Sequence, residues 1–369
     1  MHLENLSLVN FKNYAKCDLG FSSQINCFVG PNGSGKTNLL DAIHYLSLTK
    51  SAFNTIDQQN IRHGTDYFAV NGTFALDGRS HTIKCSLKTG EKKQFKNGSD
   101  RYEKLSQHIG LFPLILITPY DTEIIREGSE LRRKFFDNLL AQIDQDYLNQ
   151  LIEYNHYLRQ RNKLLKQFQE RNYFDPNLLE SYDRNLIGGG QMLSKCRVQL
   201  LNDYLPFFKQ RYQEISDGNE EVTLTYRSDL LEGNFPELFR SKLQKDMALQ
   251  RTTMGIHKDD FLFELEGHPI KKLGSQGQQK SFVIALKLAQ FELIKKAKGF
   301  KPLLLMDDIF DKLDDQRIAK LMDLVAGKAF GQLFVTDARP ERTKAIFETV
   351  EAEVKLFGVN NGEVAEVAE

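Results

Sequence analysis

Residues 30–37 read Gly30-Pro31-Asn32-Gly33-Ser34-Gly35-Lys36-Thr37 and fill every defined position of the pattern G-x-x-x-x-G-K-[ST]. Each residue type has a task. The glycines let the backbone curl until several N–H groups face one concavity, a nest for phosphate oxygens. Lys36 can reach the β and γ phosphates of ATP, and the Thr37 hydroxyl can ligand Mg²⁺. A helix opening near Lys36 adds its positive end. A glycine turn that matches by accident is the competing explanation. From average composition such a match has a chance on the order of 1–2% in a chain this long. A preceding strand and a following helix lower it further.

Such a loop needs a partner carboxylate for its metal. The run Leu303-Leu304-Leu305-Met306-Asp307-Asp308 reads as a buried strand ending in two acids. Two like charges beside a core are costly, and a divalent cation removes that cost. Asp307 is therefore expected to hold Mg²⁺, and Asp308 to orient or deprotonate an attacking water. The alternative is a strand that simply ends in two solvated acids. Thr37 and Asp307 lie 270 residues apart. A compact nucleotide-binding core closes over far fewer, so a domain-sized insertion is expected between them, with the helical region from about 121 to 250 as the candidate.

The elements that must position these residues are legible in outline. The segment LENLSLVNF alternates, and INCFVG (25–30) is a buried-strand candidate. Leu39, Leu40, Ile43 and Leu46 share one helical face. Residues 66–100 contain alternating runs separated by Gly, Asp and Asn, which predict antiparallel strands. Apolar residues recur at near-helical spacing from Ser129, a candidate cap, to Phe168. A second helical stretch spans 176–215, with an interruption or bend expected at Gly188-Gly189-Gly190. Neither sustains clean heptads, so packed helices are expected rather than a long coiled coil. Strands are expected at 221–227 and 260–266. The tail reads helix (279–297), strand (302–307), helix (314–326) and strand (332–336).

The 369 residues carry 49 basic and 49 acidic side chains, so a bulk attraction to nucleic acid is absent and any such binding must come from a local patch. Cys17, Cys27, Cys85 and Cys196 include no C-x-x-C pair, which argues against zinc and for free thiols in a reducing, cytoplasmic setting. The first residues lack the pattern of a signal peptide, and no apolar run is long enough to span a bilayer. The basic clusters are Arg132-Arg133-Lys134, Arg159-Arg161-Lys163 and Lys271-Lys272. Each is also what a solvated helix face looks like. No aromatic stacking platform stands out, so base-specific readout is not expected.

Five segments taken in order resemble the RecF family of SMC/ABC-type ATPase heads: LSLVNFKNY, GPNGSGKTNLLDAI, GIHKDDF (255–261), SQGQQKS and LLLMDDIFDKLD. The resemblance runs to about residue 340. It implies an α/β fold, an ABC/SMC-head P-loop ATPase lobe (1–120 with 296–369) and a second, mainly helical lobe (121–295) that carries a signature motif. Ser275, Gln276, Gly277 and Gln278 stand where that signature serves ATP on the opposite subunit, with Ser275, Gly277 and Gln278 matching the ABC form. A polar loop capping a helix is the local alternative. Asp311 and Asp314 resemble the D-loop at a dimer contact. The chain departs from the family at Ile256 and Lys258, in the 50–54 segment, which lacks an arginine, and at Asp308, where Glu is usual. Thr336 or Asp337 would stand where ABC transporters carry a switch histidine.

By this resemblance the chain is expected to be an ATP-dependent homodimer that binds single- and double-stranded DNA at gaps or junctions. It would act with RecO and RecR to load RecA in repair, replication and the SOS response, hydrolysing ATP weakly and in response to DNA. Arg132, Arg133 and Lys134 are the candidate DNA contacts. The competing readings are the ATPase subunit of a membrane transporter, and a non-catalytic DNA scaffold that uses ATP as a structural ligand.

Overall fold

Ile25–Val29 is buried at every position, which is what a strand covered on both faces requires. In the computed structural model, which describes residues 1–216, 220–312, 315–326, 329–348 and 350–367, it is the third strand of the chain. The elements run β1 (His2–Phe11), β2 (Tyr14–Gly20), β3 (Ile25–Val29), α1 (Lys36–Leu48), β4 (Tyr67–Leu76), β5 (Arg79–Lys88), β6 (Gln94–Asn97), β7 (Asp100–Arg101) and β8 (Leu114–Ile117). There follow α2 (Glu123–Arg126), α3 (Ser129–Ile143), α4 (Gln145–Arg171), α5 (Pro176–Ile215), β9 (Val222–Arg227), α6 (Phe235–Ser241), α7 (Leu243–Leu249), β10 (Asp260–Leu265) and β11 (His268–Pro269). The chain ends with α8 (Ile270–Leu273), α9 (Gln276–Lys298), β12 (Leu303–Met306), α10 (Asp315–Ala326), β13 (Leu333–Asp337), α11 (Pro340–Glu348), β14 (Val354–Asn360) and β15 (Glu363–Glu366).

The chain forms two compact units. The first comprises Met1–Asp121, Glu214–Asp217 and Lys280–Glu369, and the second Thr122–Gln213 and Gly218–Gln279. The expected limit at 295 thus falls inside α9. The physical reason is that α9 is apolar on most sides from Phe282 onward and buries that surface in the first unit. There Lys287 pairs with Asp121 (2.9 Å) and donates to the Leu116 carbonyl (2.7 Å).

Within the first unit, one sheet has the order β2-β1-β4-β5-β6-β7 and is antiparallel throughout. The other has the order β15-β14-β3-β13-β12-β8, parallel from β14 to β8 with β15 antiparallel at its edge. Inward residues of both sheets and of α1 form one core, including Leu8, Phe11, Phe28, Leu39, Tyr45, Phe68 and Phe334. Phe11 meets Phe68 edge to face with ring centroids 5.4 Å apart, and Tyr45 meets Phe68 in the same way at 5.6 Å. Burial on nearly all sides fixes α1, and with it the loop at its start.

The second unit combines helices with the small antiparallel sheet β11-β10-β9. Three expectations change here. The stretch from Ser129 to Phe168 is not one helix: Asp144 leaves the helical region and its carboxylate accepts from the Tyr147 N–H (2.9 Å), starting α4 afresh. Gly128, not Ser129, is the cap of α3, while the Ser129 hydroxyl accepts from Arg133. Helix α5, by contrast, runs through Gly188-Gly189-Gly190 without interruption. These glycines serve close packing: a Cβ on Gly189 would stand 2.9 Å from the Gln150 amide nitrogen, and one on Gly190 3.3 Å from Leu230.

Two buried arginines organise this unit. Arg161 donates to Asp183 (2.6 Å), Asp246 (2.6 Å) and Thr252 (2.9 Å). Arg197 grips Asp137 (2.9 and 3.0 Å), Asp259 (3.1 Å) and the Ile256 carbonyl (3.0 Å). Removing one side of such a node strands buried charge, which costs about 3–5 kcal/mol. Arg197→Met should therefore lower the unfolding free energy by about that amount. Thermal unfolding of the full chain would check this, and an unchanged transition would refute it.

Candidate active site

The chain reverses between the end of β3 and the start of α1, and two glycines there admit no side chain. Gly35 has φ 115°, and a Cβ on it would lie 2.3 Å from Asn13 Nδ2 and 2.8 Å from the Tyr14 hydroxyl oxygen. A Cβ on Gly30 would lie 2.1 Å from the Val359 carbonyl oxygen. The loop is clasped from behind. Asn13 Nδ2 donates to the Ser34 carbonyl (3.1 Å), the Tyr14 hydroxyl to the Gly35 carbonyl (3.0 Å), and the Gly362 N–H again to Ser34 (3.1 Å). Asn38 Nδ2 fixes the Asn13 amide in turn (2.7 Å). With the Ser34 and Gly35 carbonyls tied to these partners, the loop keeps the tight curl that an anion-binding nest needs, although the Ser34 N–H is itself bonded to the Pro31 carbonyl (3.2 Å). Sequence reading missed Asn13, Tyr14 and Gly362 because their contribution depends on hairpin turns distant in the chain.

The loop's threonine lies against the expected carboxylate, while its lysine turns back onto the loop. The buried Lys36 ammonium donates to the Gly30 (2.8 Å) and Pro31 (3.2 Å) carbonyls at the loop's rim. The Thr37 hydroxyl lies 2.9 and 3.0 Å from the two carboxylate oxygens of Asp307. Strand β13 separates β3 from β12, so its Thr336 sits between the two halves of the site. Thr336 donates to Asp307 (2.7 Å) and accepts from the Asp308 N–H (2.9 Å). Asp337 instead binds Arg342 and Thr343 at the start of α11.

Asp308 adopts φ 42°, in the left-handed region that few residues other than glycine, asparagine and aspartate enter. A cavity of about 550 Å³ is lined by Asn32, Gly33, Lys36, Thr37, Tyr120 and Asp308, among others. Tyr120 was not anticipated. It is 67% exposed, and its turn is pinned by Asp121, which accepts from the Thr118 N–H (2.6 Å) and pairs with Lys287.

The electrostatics fit a hard cation. Burial pushes the Asp307 carboxyl above the usual range, and Asp308 pushes in the same direction; the hydroxyls of Thr336 and Thr37 pull it back. A divalent ion would relieve that charge, and hydroxyl and carboxylate oxygens are the donors Mg²⁺ prefers. Among the described residues no cluster of three or more His, Cys, Asp or Glu could hold a metal alone. The Ser34 hydroxyl is buried without a protein partner among the described residues, an orphan that a phosphate oxygen can resolve.

The signature residues belong to the second unit. Ser275 and Gln278 form a capping box at the start of α9: the Ser275 hydroxyl accepts from the Gln278 N–H (3.2 Å), and the Gln278 side chain accepts from the Ser275 N–H (2.7 Å). The helix thus starts at Gln276 and not at 279. Ser275 and Gln276 are exposed, and Leu273 beside them is 68% exposed. Asp314 and the side chain of Asp311 lie outside the described residues.

The candidate DNA contacts fare unevenly. Arg132 is committed within the second unit, donating to Asp260 (2.7 and 3.1 Å) and to the Ile124 and Glu127 carbonyls. Arg133 donates to Ser129 (2.7 Å) and to the Asp259 carbonyl (2.6 Å). Only Lys134 is largely exposed, in a surface pair with Glu130. The three do not form one external patch, because helical spacing turns neighbouring residues to different sides. Arg161, buried as described, corrects the second cluster in the same way.

The GIHKDD segment also proves architectural. His257 Nε2 donates to the Thr252 carbonyl (3.1 Å), so its Nδ1 accepts from the Tyr154 hydroxyl (3.0 Å). Burial pushes this imidazole down to about 4, so it is neutral at pH 7. Asp259 holds Arg197 and Tyr226, Asp260 holds Arg132, and Lys258 alone is exposed.

The chain matches the family model described as RecF/RecN/SMC N terminal domain over residues 2–364. It is 48% identical over 359 residues to the DNA replication and repair protein RecF of Flavobacterium johnsoniae, covering 97% of this chain and 100% of that protein. It is also 48% identical to the protein of the same description from Cytophaga hutchinsonii, covering 99% and 96%. A solved structure described as the recombination mediator protein RecF with ATP in the RecFOR pathway superposes with a TM-score of 0.90 at 29% identity, covering 100% and 98%. An Smc head domain from Pyrococcus furiosus shares the fold, with a TM-score of 0.58 at 19% identity and coverage of 100% and 96%.

Proposed function

The chain belongs to the RecF/RecN/SMC N-terminal domain family, and from that premise we propose that it is a recombination mediator of DNA replication and repair that binds and hydrolyses ATP. The observation that carries this reading is the meeting of Lys36, Thr37 and Asp308 around one cavity, with Asp307 hydrogen-bonded to Thr37. Lys36 exchanges the carbonyls of Gly30 and Pro31 for the β and γ phosphates. Loop N–H groups around Gly33, Gly35, Lys36 and Thr37 cradle the same phosphates. Mg²⁺ at Thr37 and Asp307 supplies charge neutralisation of the phosphate oxygens. Asp308 orients the attacking water and accepts its proton.

The finer reading is a clamp. ATP bound to one subunit takes further hydrogen bonds from Ser275 and the free N–H groups at the start of α9 of a second copy, which ADP cannot offer a γ-phosphate to match. The exposure of Leu273, Ser275 and Gln276 supports this role, since an apolar side chain beside a helix start suits a contact made on closure. The closed dimer holds DNA at gaps or junctions, and hydrolysis, weak and DNA-stimulated, releases it. RecO and RecR are the partners through which it helps load RecA, in the cytoplasm. Among the described residues no helix is long and apolar enough to cross a membrane.

Light scattering and DNA binding on gapped and blunt duplexes, each with ATP, ADP and no nucleotide, test this. Doubling of mass and tighter DNA binding with ATP alone are expected. A mass and an affinity that ignore the nucleotide would sink the clamp.

A further inference from the structure

The antiparallel sheet of the first unit carries a row of cations that no stretch of sequence shows. Its registers pair Asn71 with Lys84, Lys84 with Lys96, and Lys96 with Arg101. Residues directly opposite one another in antiparallel strands point to the same face. The other face is core, because the alternating residues Ile83, Cys85, Leu87 and Phe95 are buried in it. Lys84, Lys96 and Arg101 therefore stand side by side on the solvent face of β5, β6 and β7. Strands lie about 4.8 Å apart, so the row spans about 10 Å.

The row is unneutralised. Among the described residues, none of the three cations has a carboxylate within 4.0 Å or makes a side-chain hydrogen bond. The acids that pair with cations of this sheet do so elsewhere: Asp18 with Lys16 on β2 (3.5 Å), and Asp66 and Glu91 with Lys88 at the end of β5 (4.0 Å each). Like charges directly opposite one another destabilise a sheet. The fold gains nothing from this crowding, which therefore points outward, to an anionic partner that needs regularly spaced cations.

We propose that Lys84, Lys96 and Arg101 form a sequence-independent binding surface for nucleic-acid phosphates. Each DNA strand presents a phosphate about every 3.4 Å along the axis, so a 10 Å row faces about three in succession. Threonine and serine on the same face, at Thr82 and Ser86, add neutral hydrogen-bond donors and no competing acid. This surface rests on the DNA-binding reading above and deepens it by naming the contacting residues. It belongs to the first unit alone, so each copy in a clamp would bring its own row.

The test uses the full chain carrying Lys84→Ala, Lys96→Ala and Arg101→Ala together. Fluorescence anisotropy on a labelled gapped duplex with ATP is measured across a salt series. The triple variant should bind roughly tenfold or more weakly on all sequences, and its log–log salt slope should be shallower by about 3, one for each phosphate no longer neutralised. Its thermal midpoint should not fall, because exposed like charges are being removed. Lysine-to-arginine exchange at 84 and 96 in the otherwise unaltered chain should keep the original slope. If the unaltered chain binds and the triple variant matches its affinity and slope, the surface is overturned. If the unaltered chain binds no DNA with ATP, the broader DNA reading fails and this surface with it.

Discussion

Lys36→Ala should weaken ATP binding by roughly a hundredfold to ten-thousandfold. A hydrogen bond to a charged group contributes about 1.5–3 kcal/mol. Lys36 is placed to make such bonds to two phosphates, so the loss is about 3–6 kcal/mol, with 1.4 kcal/mol for each factor of ten. The variant should fold. Among the described residues the ammonium binds the Gly30 and Pro31 carbonyls, while the loop is held independently by Asn13, Tyr14 and Gly362. Two measurements separate the effects. Calorimetric titration reads the affinity. Thermal unfolding with and without ATP reads ligand stabilisation, about 2.7 kcal/mol when ATP is present at a hundred times its Kd. That stabilisation should vanish in the variant while the ligand-free midpoint stays put. An unchanged affinity would remove the loop from the nucleotide site altogether.

Asp308→Asn should slow hydrolysis by about 10²–10⁴-fold, the usual contribution of a positioned general base, and leave ATP affinity nearly intact. The exchange is nearly isosteric, and the backbone conformation of Asp308, φ 42°, is one that asparagine tolerates well. Its N–H bond to Thr336 is retained. Single-turnover phosphate release measures the rate and a binding titration the affinity. ATP-dependent dimers should persist longer in this variant, which separates it from Lys36→Ala, where none should form. A variant that hydrolyses ATP at the original rate would show that Asp308 is not the base.

The chemistry at the two ends of the site was legible because each end is written in a few consecutive residues. Gly30 to Thr37 and Leu303 to Asp308 are local patterns whose residue types follow from phosphate and metal binding. Their meeting could be expected from charge alone, because Asp307 beside Asp308 demands a cation. What was not legible depends on register or on packing partners. Asn13 and Tyr14 support the loop through a turn between two strands. Thr336 joins the site because β13 lies between β3 and β12. Lys84, Lys96 and Arg101 look scattered until the strand registers bring them into line. The reverse error has the same origin. Arg132 and Arg133 look like a basic patch in one dimension, yet each is committed to a partner more than a hundred positions away. Gly188-Gly189-Gly190 reads as a helix breaker when the tight approach of Gln150 is out of view.

The polar knot around Gly255–Asp260 has a practical consequence. It joins two strands and three helices of the second unit through Arg197, Tyr154 and Arg132. A mutational screen that scores only repair in living cells would flag His257, Asp259 and Asp260 as strongly as Lys36. It would thus file masonry under machinery. Sorting such hits requires asking first whether the altered chain accumulates to normal abundance, since losses that vanish on correcting for protein level belong to the scaffold.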